Sequence, residues 1–494
     1  MPTPRARARI ALALATGLAL AAGGGCATNP VTGRPDLVLM SEEEEIALGH
    51  QTQKEVLQAY QPYHDPALQA HVDRIGQEIA ARSHRPDLAY HFTLLDSEEV
   101  NAFALPGGYV YITRGLLAYL DSDAELAAVL GHEIGHVTAR HSVRQHTAET
   151  ATRLGVTVAS IFTPGYASAA AGSLAGVFGG ALLSGYGRDH ELEADRLGAE
   201  YLAQVGYDPD AMLDVISVLK DQESFEIEQA REEGRPPNVY HGVFASHPSN
   251  DQRLQEVVEA ARTLEVPDPR PENRGEFLER LEGMAYGPSA QQGLVRGHSF
   301  YHADLGIGLS FPRGWAIQNR PRSVLAIAPG NEAMLELTLH DRGQHTTPED
   351  FLRWGMRVSA DSHAAAYRIA GLPAYTAVSR GSTPWGQRDI RYVVIFLGKQ
   401  VYLFQGAARD YDGLGLYDRD FRETAGSLHA LTERERARTR GPRLHVVHAD
   451  DGTTYEGLAR NTPLGGRAEQ KLRLLNGDYP DGEPTPGSLV KVVR

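Results

Sequence analysis

The chain has one cysteine, Cys26, among 494 residues. A single thiol can build neither a disulfide framework nor a multi-thiolate metal site, so any metal must be held by histidine and carboxylate. Basic residues are in deficit: 48 Lys and Arg stand against 63 Asp and Glu, for a formal net charge of -15. Nucleic-acid binding leaves a basic footprint, and this balance argues against it. Apolar runs long enough to cross a bilayer are missing, which argues against a polytopic membrane bundle. No tandem repeat is visible. What remains is an ordinary globular composition, 42% hydrophobic and 22% charged, so wholesale disorder is not expected. The length exceeds one ordinary domain and predicts two or three.

The first residues read as an address. Arg5, Arg7 and Arg9 precede the apolar run Ile10 to Ala22. That run is short for a membrane span and suits a signal-peptide core. Gly23-Gly24-Gly25 then lead into Cys26. Small residues before a cysteine resemble a bacterial lipoprotein processing site, with Gly23 where a leucine is usual. The resemblance implies that lipidation consumes the only thiol and anchors the chain on a membrane. Ala27, not an aspartate, follows the cysteine. The resemblance then implies the periplasmic face of the outer membrane.

Residues 1–26 are thus expected to be signal peptide and lipidation site, and 27–40 a Pro- and Gly-rich tether. Ser41 with Glu44 predicts a capping box and a helix to about Tyr60. Asp65-Pro66 opens a second helix, with Leu68, Val72, Ile75 and Ile79 at helical spacing. Tyr90, Phe92 and Leu94 alternate as in a strand, and Tyr109 to Thr113 predicts another after the Pro106-Gly107-Gly108 turn. Ser122 with Glu125 predicts a capping box for a helix to about Gln145. The Ala-, Gly- and Ser-rich Leu154 to Gly185 reads either as a buried or lid helix or as a membrane-touching segment. Helices follow over Glu191 to Val205 and Pro209 to about Arg231.

His132-Glu133-Ile134-Gly135-His136 carries the strongest chemical signal. Residues four apart on a helix share a face, so both imidazoles can hold one zinc ion. A bound zinc lowers the pKa of a coordinated water toward ~7. Glu133, beside them, is placed to take that proton as the water attacks a peptide carbonyl and to pass it to the leaving amine. Gly131 and Gly135 each cost the helix ~1 kcal/mol. They make sense if another backbone or side chain must come close. His141 and His146 do not complete the site by spacing and are read as solvated. A catalytic zinc wants a third protein ligand and an open position. Asp189, Glu191 and Glu193 are all available downstream, and spacing alone does not choose among them. Asp195, one turn after Glu191, could accept a proton from a ligand histidine ring and fix its tautomer.

Asn101-Ala102-Phe103-Ala104-Leu105-Pro106-Gly107-Gly108, then HEIGH, then Glu191-Leu192-Glu193-Ala194-Asp195, then Ser246-His247-Pro248 occur in this order. Together they resemble the zinc metallopeptidases of the HtpX, BepA and CAAX-prenyl-protease type, over about Ser41 to Glu265. The resemblance implies a gluzincin with one Zn²⁺ per chain, held by His132, His136 and Glu191, with Asp195 behind a ligand histidine. It also implies that Asn101, Ala102, Gly107, Gly108 and Tyr109 border a cleft where an extended substrate adds as a strand. His247 is expected either to stabilise the oxyanion or to fill the fourth zinc position and silence the enzyme. Arg253 fits the oxyanion role or a structural ion pair.

The C-terminal half differs in texture. Residues 266–295 are expected to be linker and helix, and 296–431 an α+β domain that weakly resembles the PsbP/Mog-like fold. Its expected strands include Ile307 to Phe311, Met334 to Leu339, Ala374 to Val378, Tyr392 to Leu397 and Val401 to Phe404. Its expected helices are Pro348 to Ala360 and Phe421 to Leu431. A charged linker is expected over 432–442. Residues 443–494 resemble a LysM module, which implies a separate strand–helix–helix–strand unit and peptidoglycan as a partner. The expected fold class is therefore multidomain: a mainly α-helical zincin-type peptidase domain with a small sheet, an α+β domain and a small LysM-like unit.

The expected function is a zinc-dependent metalloendopeptidase of the envelope. Its expected partners are unfolded or misassembled envelope proteins, the membrane and the outer-membrane assembly machinery. The rival readings are an assembly chaperone with a plugged metal site and a peptidoglycan-binding protein. Glu133 favours the enzyme, because a structural zinc site needs no general base.

Overall fold

The computed structural model describes residues 26–38, 40–145, 147, 187–235, 237, 263–264, 266–289, 292–320, 323–359, 362–439 and 441–494. Leu154 to Gly185, His146, His247 and Arg253 lie outside the described residues. The chain divides into two compact units, Met1–Tyr286 with Arg443–Arg494, and Gly287–Pro442.

The first unit opens with a hairpin where a tether was expected: β1 (Cys26–Thr28) pairs with β2 (Pro35–Leu37). Asn29 accepts the N–H groups of Val31 and Thr32 and shapes its turn. Helix α1 (Glu42–Ala59) starts on the Ser41/Glu44 capping box. Helix α2 (Pro66–Ala80) starts with Asp65 accepting from Ala67 and Leu68 and with proline in its first turn. It buries Leu68, Val72, Ile75 and Ile79. Strands β3 (His91–Leu95), β4 (Ala102–Leu105) and β5 (Tyr109–Thr113) form a sheet in the order β3-β5-β4. β3 runs parallel to β5, and β4 antiparallel to it. A short helix, α3 (Arg114–Leu117), leads to α4 (Asp123–Thr138), in which every residue is buried.

The start of α4 departs from the expected box. Ser122 accepts the Glu125 N–H, but the Glu125 carboxylate turns back to the N–H of Asp121. The end departs more. The helix stops at Thr138, Arg140 adopts φ 54°, and a new helical stretch begins at His141. Such a left-handed residue costs roughly 1–2 kcal/mol unless its surroundings hold it. Here Arg140 donates to the Glu45 carboxylate (2.8 Å) and the Met40 carbonyl (3.0 Å), while Arg85 donates to Glu45 and to the helix-end carbonyl of Val137. Among the described residues α5 (Arg188–Gln204), α6 (Ala211–Glu233) and α7 (Arg274–Leu281) come next.

Small residues set the distance between α4 and α5. A Cβ on Gly135 would stand 2.9 Å from the Ala194 carbonyl oxygen, and one on Gly198 would stand 3.1 Å from the His132 nitrogen. The glycines beside the histidine pair therefore admit another backbone, which brings the α5 carboxylates to the α4 imidazoles.

The second unit holds a four-stranded sheet of β6 (Leu294–Arg296), β7 (Ser299–His302), β8 (Ile307–Ser310) and, at its other edge, β16 (His429–Ala430). A seven-stranded sheet is built from β9 (Ala316–Asn319), β10 (Ser323–Ile327), β11 (Ala333–Asp341), β12 (Ser362–Ile369), β13 (Leu372–Thr383), β14 (Gly386–Leu397) and β15 (Gln400–Ala408). Its order is β12-β13-β14-β15-β11-β10-β9. Alternation along β14 sends Val393 and Ile395 to one core, shared with Phe421 of α8 (Leu414–Gly426), and Val394 and Phe396 to another, with Phe351 and Leu352. The helix expected over Pro348 to Ala360 is one tight turn followed by a π-helical stretch ending at Gly355. The helix expected over Phe421 to Leu431 starts earlier, at Leu414, and gives way to β16. The expected charged linker carries helix α9 (Glu433–Arg438) on a Thr432/Glu435 capping box.

Residues 443–494 follow the expected order: β17 (Leu444–His448), α10 (Tyr455–Ala459), α11 (Ala468–Leu475) and β18 (Leu489–Val493), with β17 antiparallel to β18. They do not stand apart. Leu444, Tyr455, Leu472, Leu475, Val490 and Val492 join the same core as α2, α4 and α7. Lys491 is fully buried and donates to the carbonyls of Ala118 (3.0 Å) and Leu120 (3.1 Å), with Asp121 at 2.7 Å. Arg274 donates to the Leu489 carbonyl and to Asp121.

Candidate active site

Helix α4 presents His132 and His136 on one face, one turn apart. Helix α5 crosses at Gly131 and Gly135 and presents Glu191 and Asp195, again one turn apart. His132 Nε2 and His136 Nε2 are 3.0 Å apart. Glu191 Oε2 lies 3.6 Å from the first, and Oε1 lies 3.4 Å from the second. Among the described residues these three form the one His/Cys/Asp/Glu group able to hold a metal ion. The alternatives separate on position. Asp189 is exposed at the start of α5, and Glu193 turns away to His141 and Arg144.

The hydrogen bonds on the far side of each ring fix the tautomers. His132 Nδ1 is 2.8 Å from Asp195 Oδ1. A carboxylate only accepts, so Nδ1 carries a proton, and in the neutral ring Nε2 keeps its lone pair. His136 Nδ1 is 2.8 Å from His141 Nδ1, and His141 Nε2 is 3.0 Å from Glu193 Oε2. Glu193 takes the Nε2–H of His141. The Nδ1 of His141 then accepts from His136, whose Nε2 is also left with a lone pair. Two lone pairs and a carboxylate thus converge at 3.0–3.6 Å. Acceptors at that separation repel unless a cation lies among them. Zinc–ligand bonds of about 2.0–2.1 Å in a tetrahedron give ligand–ligand edges of about 3.3–3.4 Å. The donor set fits such an ion in chemistry and in spacing.

His141, expected to be solvated, is fully buried. Its ring stacks on His190 at 4.3 Å. Burial pulls its pKa down to about 4. Its hydrogen bond to Glu193 holds that carboxyl at about 2, with Arg144 adding to the effect. Spacing hides this residue. On a continuous helix, position 141 points about 140° away from position 136 at 100° per residue. The break at Arg140 brings it back beneath His136.

Glu133 is 2% exposed. With His132, Asp195 and Ala102 it lines a cavity of ≈ 40 Å³, whose other walls include Val129, Met212, Ile216 and Leu219. β4 is an end strand of its sheet. Asn101, just before it, spends its backbone on β5: its carbonyl accepts the Thr113 N–H, and its N–H donates to the Thr113 hydroxyl. Gly107, Gly108 and Tyr109 are not in the cavity wall. The two glycines have φ 78° and 90°, and a Cβ would strike Ile46 Cα at 2.9 Å and the Ala89 carbonyl oxygen at 2.5 Å. They serve the turn between β4 and β5. Tyr109 stacks on His91.

A Beta-barrel assembly-enhancing protease of Yersinia pestis is 30% identical over 231 residues, 46% of this chain and 45% of that protein. A Mitochondrial metalloendopeptidase of Arabidopsis thaliana is 35% identical over 136 residues, 26% of each chain. The chain therefore spans less than half the length of either relative. The solution structure of cyanobacterial PsbP from Synechocystis sp. PCC 6803 covers 28% of this chain and 95% of that one at 14% identity. Its TM-score of 0.22 is too low to assign a fold. Residues 66–261, the span that holds the histidine pair, Glu133, Glu191 and Asp195, match the model of Peptidase family M48.

Proposed function

We propose that the protein is a zinc metalloendopeptidase that cleaves unfolded or misassembled proteins of the bacterial envelope. The convergence of His132 Nε2, His136 Nε2 and the Glu191 carboxylate beside buried Glu133 carries this reading. His132, His136 and Glu191 would hold the zinc. Zinc, when bound, polarises the peptide carbonyl and makes a coordinated water acidic. Glu133 takes the proton from the attacking water and returns it to the leaving amine. Asp195 keeps the His132 ring in the required tautomer.

The edge of β4 that pairs with no strand among the described residues accepts an extended chain by backbone hydrogen bonds, which favours unfolded substrates over any one sequence. Ala102, at the start of that strand, also lines the cavity with Glu133 and so ties the edge to the reacting centre. The relative named for β-barrel assembly supports envelope proteins as the substrate class. The same reading takes Cys26 as a lipid anchor, His247 as a gate or oxyanion donor, and residues 443–494 as a glycan contact.

The test is digestion of an unfolded model protein by wild type and by Glu133→Gln, with zinc measured in both. Zinc in both and cleavage by wild type alone is the expected result. Equal cleavage by both would sink Glu133 as the base. Zinc in neither would sink the metal site. Mass spectrometry of Cys26 checks the anchor, and co-sedimentation of the protein with peptidoglycan checks the glycan contact. An unmodified cysteine or an empty pellet would dismiss either one.

A further inference from the structure

His141 lies outside the metal-ligand set, and its environment is built around one hydrogen bond. Its side chain is wholly buried. One ring nitrogen meets His136 Nδ1 at 2.8 Å, and the other meets Glu193 Oε2 at 3.0 Å. Arg144, one helical step further on, donates to the same Glu193 oxygen at 2.8 Å. Arg144 also lies 3.6 Å from Asp36 of β2. One face of the ring stacks on His190. The chain bends to make this possible, since Arg140 takes a left-handed conformation that Glu45 and Met40 hold in place. A packed core histidine needs none of this. An unbroken helix would carry position 141 to the opposite side.

The chemistry follows from the order of partners. Glu193 is acceptor-only, so it draws the proton of His141 to Nε2. The lone pair left on Nδ1 faces His136 Nδ1 at 2.8 Å. His136 must then carry its proton on Nδ1 and turn Nε2 inward. We propose that His141, oriented by Glu193 and Arg144, is a positioning residue that sets the tautomer and ring angle of His136 and so raises the affinity of the site for its metal. It does for His136 what Asp195 does for His132, with a neutral ring in place of a carboxylate. Asp195 thus remains the carboxylate bonded directly to a ligand ring, and the metal keeps more of its positive charge for polarising a substrate carbonyl. This inference rests on the metallopeptidase reading above.

Zinc affinity is the readout, measured on the full chain by competition with a chromogenic chelator, with far-UV circular dichroism as the check on folding. His141→Leu keeps bulk and removes both hydrogen bonds. Partners of this kind are worth about 10- to 100-fold in metal affinity, and a loss in that range is expected. His141→Asn places an amide oxygen where Nδ1 stands and is expected to recover most of the loss. Glu193→Gln, on a side chain about a quarter exposed, is expected to fold normally and to weaken zinc binding by about tenfold, the low side of the same effect. It decides the matter if His141→Leu does not fold.

Zinc affinity within twofold of wild type in folded His141→Leu would overturn the proposal. So would equal losses in the Leu and Asn variants, which would mean packing alone, or an unchanged affinity in Glu193→Gln. A wild-type protein that binds no zinc would instead sink the metal site itself, a separate outcome.

Discussion

Lys491→Met tests whether the C-terminal segment belongs to the core that carries the candidate active site. The ammonium of Lys491 is sealed from water and serves the Ala118 and Leu120 carbonyls and Asp121. Methionine fills most of the same volume and leaves those three acceptors without their cation. Breaking one side of a buried ion pair costs about 3–5 kcal/mol. Arg274 still reaches the other oxygen of Asp121 at 3.0 Å, so a loss near ~3 kcal/mol is expected. At roughly 2–4 °C per kcal/mol, the transition should fall by about 6–12 °C. The assay separates the two units. Most of the helix lies in the first, so far-UV circular dichroism follows it. Trp315, Trp354 and Trp385 are the only tryptophans and all lie in the second, so indole fluorescence follows that one. The expected result is a lowered dichroism transition beside an unmoved fluorescence transition. Adding Asp121→Asn should recover part of the loss by removing the stranded charge. A dichroism midpoint within about 2 °C of wild type, below the smallest shift that scale allows, would refute the reasoning.

Gly135→Ala puts a methyl 2.9 Å from the Ala194 carbonyl. It should force α4 and α5 apart, cost about 1–3 kcal/mol and weaken zinc binding with Glu191 displaced. Unchanged affinity and melting would contradict the close-packing account. Glu191→Ala should lose zinc and keep most of its helix, and full zinc occupancy would refute the ligand assignment. Glu125 gives the pH prediction. Burial, with the Asp121 charge adding to it, raises its pKa to about 7 from an ordinary 4.5. The unfolded chain therefore releases this proton first as pH rises. The stabilising contribution is complete below pH ~4.5 and is lost as pH climbs through ~7, by at most about 3 kcal/mol. Melting temperature should fall across that window in wild type, and the fall should be smaller in Glu125→Gln. Parallel profiles would exclude Glu125 as the source.

What was legible in the sequence, and what was not, follows from the range of the interactions involved. The histidine pair is a local property: four residues on one helix make one face, and the flanking glycines announce a close neighbour. The helix starts at Ser41 and Asp65 are equally local. Glu191 was open to Asp189 and Glu193 by spacing. The deciding signal was nevertheless in the chain, because Ala194 and Gly198 stand three and seven residues after Glu191 and mark the small-residue face that meets α4. Glu193 is about 200° around from that face. Asp195 shares the face and reaches the metal site through His132.

His141 could not be found by any periodic argument, because the period is broken at Arg140. The break is held by Glu45 and Met40, a hundred residues earlier in the chain. Lys491 misleads in another way. In Leu-Val-Lys-Val-Val a lone lysine reads as a strand's solvent-facing charge, yet its partners lie 371 and 373 residues away, at Leu120 and Ala118. A sequence shows the charge but not the carbonyls that will surround it. The C-terminal segment therefore looked like a detachable module when read alone. Its apolar residues complete the core around α2, α4 and α7, so a truncation at Pro442 removes part of the scaffold that holds the histidine helix, whatever else residues 443–494 bind.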